Sequence, residues 1–183
     1  MTGQSEKGQI RERLMKRPEF VHLSFINHPM NNNDILRRVR YIFNFNDDRM
    51  MELFALGGRP ASRAEISDWL KRDDDPAFQP INDHLLATFL NGLIVKKRGR
   101  KDETPMAVEE RINNNIVFRK LRIALQLRDD DILAILKKAG FVLSRHELSA
   151  FFRNPQQNQY RPCKDQILRN FLHGLQIVHR PNP

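Results

Sequence analysis

The chain lacks the sequence features that are typical of secreted and membrane proteins. Its 183 residues include a single cysteine, Cys163, which excludes an intrachain disulfide and suits a reducing compartment. No apolar stretch approaches the ~20 residues that a membrane-spanning helix needs. The N-terminal residues lack the sustained apolar segment and the small-residue cleavage site of a secretory signal. We therefore expect a cytoplasmic protein without a membrane segment.

Signatures of catalysis and of cofactor binding are also missing. The eight glycines form no phosphate-binding loop. The six histidines show no two-histidine helix motif, and they are not paired with acids or with Cys163 at metal-ligand spacing. The sequence therefore predicts no metal, no cofactor and no catalytic residue, and we expect a protein that is not an enzyme.

What the sequence does contain is an internal duplication. Residues 30–94 (repeat 1) align without a gap onto residues 112–176 (repeat 2) at a constant offset of 82 positions. The matches include asparagine triplets at 31–33 and 113–115, aspartate pairs at 47–48 and 129–130, and the closing sequences FLNGL and FLHGL. Units of ~65 residues lie near the lower limit for an independent core. The two repeats are therefore expected to pack together.

Hydrophobic periodicity predicts four helices in each repeat and no strand. The aspartate pairs are expected to cap the second helix, and Gly58 and Gly140 to end it. Capping boxes of the form Ser-x-x-Glu begin at Ser62 and Ser144 and predict the start of the third helix. The predicted fold is all-α: a tandem duplication of a four-helix unit, packed as a pseudo-twofold helical bundle.

Three small residues lie inside the apolar pattern. Gly92 and Gly174 fall within the predicted fourth helix, where they indicate either close helix packing or the helix end. Cys163 occupies the position of Ile81 in repeat 1, so it is expected to be a small buried hydrophobic residue and not a nucleophile.

Charge is unevenly distributed along the chain, whose formal net charge is +9. Repeat 1 has eight basic and ten acidic side chains, whereas residues 112–183 have twelve and five and alone contribute +7. If the protein binds an anionic partner such as nucleic acid, repeat 2 is where we expect the contact. The alternative is that the excess charge only keeps the protein soluble.

The segments outside the repeats have their own signatures. Residues 1–29 have no counterpart ahead of repeat 2 and predict a disordered N-terminal arm. A second interpretation is that Met30 is the natural initiator and that the arm is not native. Residues 95–111 include the basic hexapeptide KKRGRK and predict an exposed, mobile linker, with a phosphate-backbone contact as the alternative. Residues 177–183 are expected to form a tail.

A known family has this arrangement. The asparagine-rich start of each repeat, the stretch RINNNIVFRKLRIALQL followed by DDDILAIL, and the closing FLNGL and FLHGL resemble the YehS-like family of bacterial proteins. The resemblance covers residues 30–176. It implies an all-α, tandem-repeat, intracellular bacterial protein. That family is a domain of unknown function, so the resemblance implies no activity.

The order of the helices is also distantly similar to that of repressor-type helix-turn-helix domains, in which the third helix enters the major groove of DNA. The connection before the third helix is longer than the usual turn of that motif. In repeat 1, Asp73-Asp74-Asp75 follow the third helix and would repel a phosphate backbone. Ordinary helix packing is the alternative explanation of the similarity.

These considerations define a set of candidate contacts in repeat 2. The residues considered for an anion or nucleic acid are Arg119, Arg122, Arg145, His146, Arg153, Asn113 and Asn114. For the arginines at i and i+3 in the first helix of each repeat, we expect ion pairs with the aspartate pairs, with a phosphate clamp as the alternative.

The asparagine triplets also permit two interpretations. Asparagine binds the edge of adenine, and a cluster at a helix N-terminus helps to hold an anion. More simply, Asn33 and Asn115 are expected to cap the first helix of each repeat. We expect the remaining asparagines to bond to the backbone between the repeats.

Two functional hypotheses follow from the sequence. The first is a cytoplasmic module that binds nucleic acid through repeat 2, with an affinity that falls steeply as salt increases. The second is a protein-interaction or structural module whose partner occupies a groove between the two repeats.

Overall fold

The computed structural model describes residues 29–100 and 106–181. The arm predicted for residues 1–29 therefore lies outside the described residues, apart from its last position. Within the described ranges each repeat consists of four α-helices, and no strand occurs. Repeat 1 contains α1 (Asn32–Ile42), α2 (Asp47–Leu56), α3 (Arg63–Leu70) and α4 (Asp83–Arg98). Repeat 2 contains α5 (Asn114–Ala124), α6 (Asp129–Lys138), α7 (Arg145–Ala150) and α8 (Asp165–His179). The all-α, duplicated fold is confirmed.

The glycines singled out in the sequence have two distinct roles: one pair ends helices, and the other pair lies within them. Gly58 and Gly140, with φ angles of +100° and +76°, end α2 and α6 in the left-handed conformation that glycine tolerates best. Gly92 and Gly174 lie inside helices that continue beyond them. A Cβ atom at Gly92 would lie 1.7 Å from a backbone carbonyl oxygen of α2, and one at Gly174 would lie 2.2 Å from a carbonyl oxygen of α6. These glycines therefore allow close packing of the second and fourth helices.

Two of the capping predictions are wrong. The N-cap residues of α1 and α5 are Asn31 and Asn113, not Asn33 and Asn115. The N-cap of α2 is Asn46, while the aspartate pairs occupy the first turns of α2 and α6, where their charge favours the helix dipole. The capping boxes at the start of α3 and α7 are present as expected.

Asn33 is instead buried and binds the loop that follows α3. Its side-chain amide donates to the carbonyl oxygens of Trp69 at 2.8 Å and Gln79 at 2.9 Å, and its oxygen accepts from the backbone N–H of Ile81. Asn115 makes the three equivalent bonds in repeat 2. These bonds lie within each repeat. Both asparagines lie inside the helix, where their side-chain amides reach the core and satisfy backbone groups of that loop.

The expectation that the remaining asparagines bond to the backbone between the repeats is wrong, because Asn32 donates to the carbonyl oxygen of Ile81 and Asn114 to that of Cys163, each within its own repeat.

The repeats are joined reciprocally. Helix α4 packs on α5, and α8 packs on α1, so the fourth helix of each repeat covers the first helix of the other. Asp83 accepts from the backbone N–H of Ile112 at 3.1 Å, and Asp165 accepts from that of Met30 at 2.9 Å, which is the same bond in the other repeat. The bundle is thus pseudo-twofold.

The parts of the linker that the structure describes, 95–100 and 106–111, contact the bundle at both ends. Lys96, Lys97 and Arg98 form the last turn of α4, so the basic hexapeptide begins within a helix. Farther on, Glu109 lies 2.8 Å from the buried amino group of Lys120, and the side chain of Asn91 donates to a carbonyl oxygen of the linker. The linker segment at 107–109 is therefore attached to the interface between the repeats.

None of the helices in the described ranges is long and apolar enough to cross a membrane.

Candidate nucleic-acid interface

One corner of repeat 1 is neutralised by ion pairs. The guanidinium group of Arg37, on α1, donates to Asp34 at 2.7 Å and to Asp73 at 2.9 Å. Close by, at the end of α3, the amino group of Lys71 lies 2.7 Å from Asp68. Each cation of this corner therefore has an acidic partner.

Repeat 2 keeps the cations of this corner and lacks its acids. Arg119 and Arg153 occupy the positions of the two cations, whereas the three partner acids are replaced by Ile116, Ala150 and Pro155. Among the residues that the structure describes, no carboxylate lies within ion-pairing distance of either arginine. The same backbone frame thus presents a neutral corner in one repeat and a cationic corner in the other.

Arg161 completes what we call the basic corner: Arg119, Arg153 and Arg161. Arg119 is exposed and donates to the carbonyl oxygen of Phe152 at 3.0 Å. Arg153 is half-buried and donates to the side-chain oxygen of Gln159. Arg161 is exposed, and its backbone is fixed at the corner by bonds to α7 and to the buried Asn115. The corner therefore presents two exposed guanidinium groups, those of Arg119 and Arg161, beside the half-buried one of Arg153.

An open cavity of about 590 Å³ lies beside the basic corner. It is lined by Arg153 and by four amide side chains of the loop at 154–160, namely Gln156, Gln157, Asn158 and Gln159. The corresponding loop of repeat 1, at 72–78, carries Asp73, Asp74 and Asp75 instead. Within the described part of the chain, the side chains of Gln156 and Asn158 make no hydrogen bond. Their donors and acceptors are available to a ligand.

Two of the arginines proposed from the sequence already have acidic partners. Arg122 lies 2.8 Å from Asp129, and its guanidinium group stacks over Phe152 at 4.6 Å from the ring centroid. Arg145 pairs with Asp130. The ion-pair expectation is thus confirmed for Arg122, but Arg119 at the i position of the same motif has a carbonyl partner instead.

The remaining candidates are divided between structural and exposed positions. Asn113 caps α5 by accepting from the backbone N–H of Ile116, and Asn114 donates to the carbonyl oxygen of Cys163 and to Asp165. Both side chains are thereby engaged in the fold. His146 is exposed on α7.

The described residues offer little support for metal or thiol chemistry. No group of three or more metal-ligating side chains occurs within them. Cys163 is 4% exposed, and burial raises the pKa of its thiol to about 12. The thiol is therefore protonated at neutral pH, as expected of a buried hydrophobic residue.

Arg161 and the amide-lined loop were not among the residues proposed from the sequence. The alignment of the two repeats contains the signal that could have found them, since it places three aspartates of repeat 1 opposite residues 155–157 and the neutral Gln79 opposite Arg161. The charges that repeat 2 lacks, relative to repeat 1, are as informative as the charges that it has.

The fold and this site define an all-helical protein of two repeats. At matched positions of one corner, the cations of repeat 1 are paired with acids, and those of repeat 2 have no acidic partner among the described residues. The chain belongs to the family described as protein of unknown function (DUF1456), whose model matches it twice, at residues 32–99 and 114–180. It is 48% identical over 147 residues to the uncharacterized protein YehS of Escherichia coli (strain K12), an alignment that covers 80% of this chain and 94% of YehS. No solved structure matches significantly. The resemblance noted in the sequence is confirmed.

Proposed function

We propose that the protein is a non-enzymatic, cytoplasmic binding module that contacts nucleic acid through the basic corner of repeat 2. The observation that carries the proposal is the replacement of three acids of repeat 1 by Ile116, Ala150 and Pro155, which leaves Arg119 and Arg153 without an acidic partner among the described residues.

The chemistry of the corner suits phosphate. A guanidinium group has five N–H donors and binds phosphate oxygens in a bidentate geometry. Arg119 uses a donor on one backbone carbonyl oxygen, so most of its donors remain available on an exposed side chain. Several such groups at one corner release counterions when they bind a phosphate backbone, which makes the affinity depend on salt.

The test compares matched pairs of substitutions in the two repeats. The variant Arg119→Gln, Arg153→Gln removes two charges from the basic corner, whereas Arg37→Gln, Lys71→Gln removes the equivalent charges from repeat 1. Binding of a fluorescent mixed-sequence nucleic-acid pool would be measured at about 50 and 200 mM salt. We expect the first variant to weaken binding strongly and the second to leave it unchanged, with thermal denaturation as the control for folding. Equal losses in both folded variants, or no binding by the parent protein, would refute the proposal.

A second candidate function is the binding of a protein partner at the junction of the repeats. A cleft of about 340 Å³ opens there between side chains of α1 and Arg180, which follows α8. Tyr41 lines it and is 43% exposed, with the Arg180 guanidinium 4.2 Å from its ring centroid. A photo-crosslinking residue at position 41 should then capture one specific partner in cells, and the same residue at the matched position 123 should not. Identical capture patterns at the two positions would remove this candidate.

A further inference from the structure

The third helix of repeat 2 is poorly suited to entering a DNA groove. Helix α7 has six residues, a length of ~9 Å. In helix-turn-helix proteins the N-terminal residues of the recognition helix contact the base edges. Here that end carries carboxylates: Glu147 accepts from the backbone N–H and the hydroxyl of Ser144, and Asp130 pairs with Arg145. The hydrogen bonds from Ser144 lower the pKa of Glu147, so this end of α7 keeps its negative charge.

The groups that suit a nucleic acid lie at the other end of α7. Arg153 follows the C-terminus of the helix, and the amide-lined cavity opens directly beside it. The cavity, of about 590 Å³, is open to solvent, so a base can enter it from the surface. Side-chain amides bind the donor and acceptor groups on the edges of nucleobases. Those edges are accessible in single strands, whose bases can turn out of the stack.

We infer that repeat 2 binds single-stranded nucleic acid, with an unstacked base in the amide-lined cavity and the neighbouring phosphates on the basic corner. The inference rests on the proposed function and specifies its ligand. It assigns Gln156 and Asn158 to the base, because their side chains make no hydrogen bond with the described residues. It assigns Arg119, Arg153 and Arg161 to phosphates.

The experiment measures fluorescence anisotropy of the full chain with a mixed-sequence strand of about 15 nucleotides, as DNA and as RNA, and with the corresponding DNA duplex. The decisive variant is Gln156→Ala, Asn158→Ala. The matched control in repeat 1 is Asp74→Glu, Pro76→Ala, which keeps the negative charge beside Arg72. Both pairs lie on exposed loops, and thermal denaturation verifies that each variant is folded.

The expected results separate base contacts from phosphate contacts. Single strands should bind more tightly than the duplex, and the amide variant should weaken single-strand binding about tenfold. Because amides carry no charge, that variant should leave the dependence of log K on log salt unchanged. Arg153→Gln should lower the salt slope by ~0.7, the value for one phosphate contact on a single strand. The repeat 1 control should bind like the parent protein.

Two results would overturn the inference in distinguishable ways. If the duplex binds as tightly as the single strands, or if the amide variant binds them normally, the single-strand assignment is wrong while the proposed function stands. If neither single strands nor the duplex bind, both the inference and the proposed function fail.

Discussion

Copying two acids of repeat 1 into repeat 2 should weaken nucleic-acid binding while preserving the fold. In the variant Ile116→Asp, Pro155→Asp, the new carboxylates occupy the positions of the two aspartates that bind Arg37 at 2.7 and 2.9 Å. Because the repeats align without a gap, we expect the same ion pairs to form with Arg119. A guanidinium group held by two carboxylates is no longer available to phosphate.

The magnitude follows from the strength of a single phosphate interaction. A charge-assisted hydrogen bond contributes ~1.5–3 kcal/mol, so removing one from the complex should raise Kd about 10- to 100-fold. Stability should change much less. An aspartate at 116 would complete a capping box with Asn113, as Asp34 does with Asn31, and an acid in the first turn of a helix contributes ~0.3–1 kcal/mol. Replacing a loop proline costs a similar ~0.4–1 kcal/mol, so the two effects nearly cancel.

The assay combines fluorescence anisotropy at several salt concentrations with thermal denaturation. The neutral control is Ile116→Asn, Pro155→Asn, which has almost the same shape and no added charge. We expect the aspartate variant to bind more weakly and to show a salt slope smaller by ~0.7 for each phosphate that it no longer binds, while the control binds normally. An aspartate variant that is folded and binds like the parent protein would refute the role of Arg119.

Three further predictions concern stability. Gly92→Ala should lower the free energy of unfolding by at least ~2 kcal/mol, because the added Cβ would lie 1.7 Å from a backbone carbonyl oxygen; an unchanged urea transition would contradict the close packing. Asn115→Ala removes three hydrogen bonds to backbone groups and should cost ~2–4 kcal/mol in urea denaturation, with a similar loss for Asn33→Ala; a loss in only one repeat would contradict their equivalence. The pKa of Glu65 is lowered to about 2, mainly by the hydrogen bond from Arg59, so its stabilising effect is full above pH ~4.5 and is lost as the pH falls towards 2. The difference in Tm between the parent and Glu65→Gln should therefore shrink as the pH falls from 4.5 to 2, and a difference that stays constant over that range would contradict this assignment.

Much of the fold could be predicted from the sequence because its signals are local. The capping boxes, the glycines that end α2 and α6, and the apolar periodicity all act within one or two turns of a helix. The asparagine triplets show where local signals fail. Asn31 and Asn33 are equally good N-cap residues in isolation. The choice between them depends on a loop 36–48 residues away, whose backbone requires the buried amide of Asn33.

The candidate site was less predictable for a related reason. The sequence located the excess charge in repeat 2, but it could not show which arginines have acidic partners. Arg145 pairs with an acid 15 residues away, across the connection between α6 and α7. Arg119 carries the same charge and has no such partner among the described residues. Only the folded arrangement distinguishes the two.

The distribution of the missing acids argues against solubility as the full explanation of the charge. Of the ten acids in repeat 1, four recur at matched positions in repeat 2, where they cap α7, pair with arginines or join the repeats: Asp129, Asp130, Glu147 and Asp165. Six do not recur, and five of these belong to the neutralised corner or its adjoining loop: Asp34, Asp68, Asp73, Asp74 and Asp75. A general increase in charge for solubility would not be confined to one corner. The absence of acids there, with the cations retained, is what binding of a local anionic ligand requires.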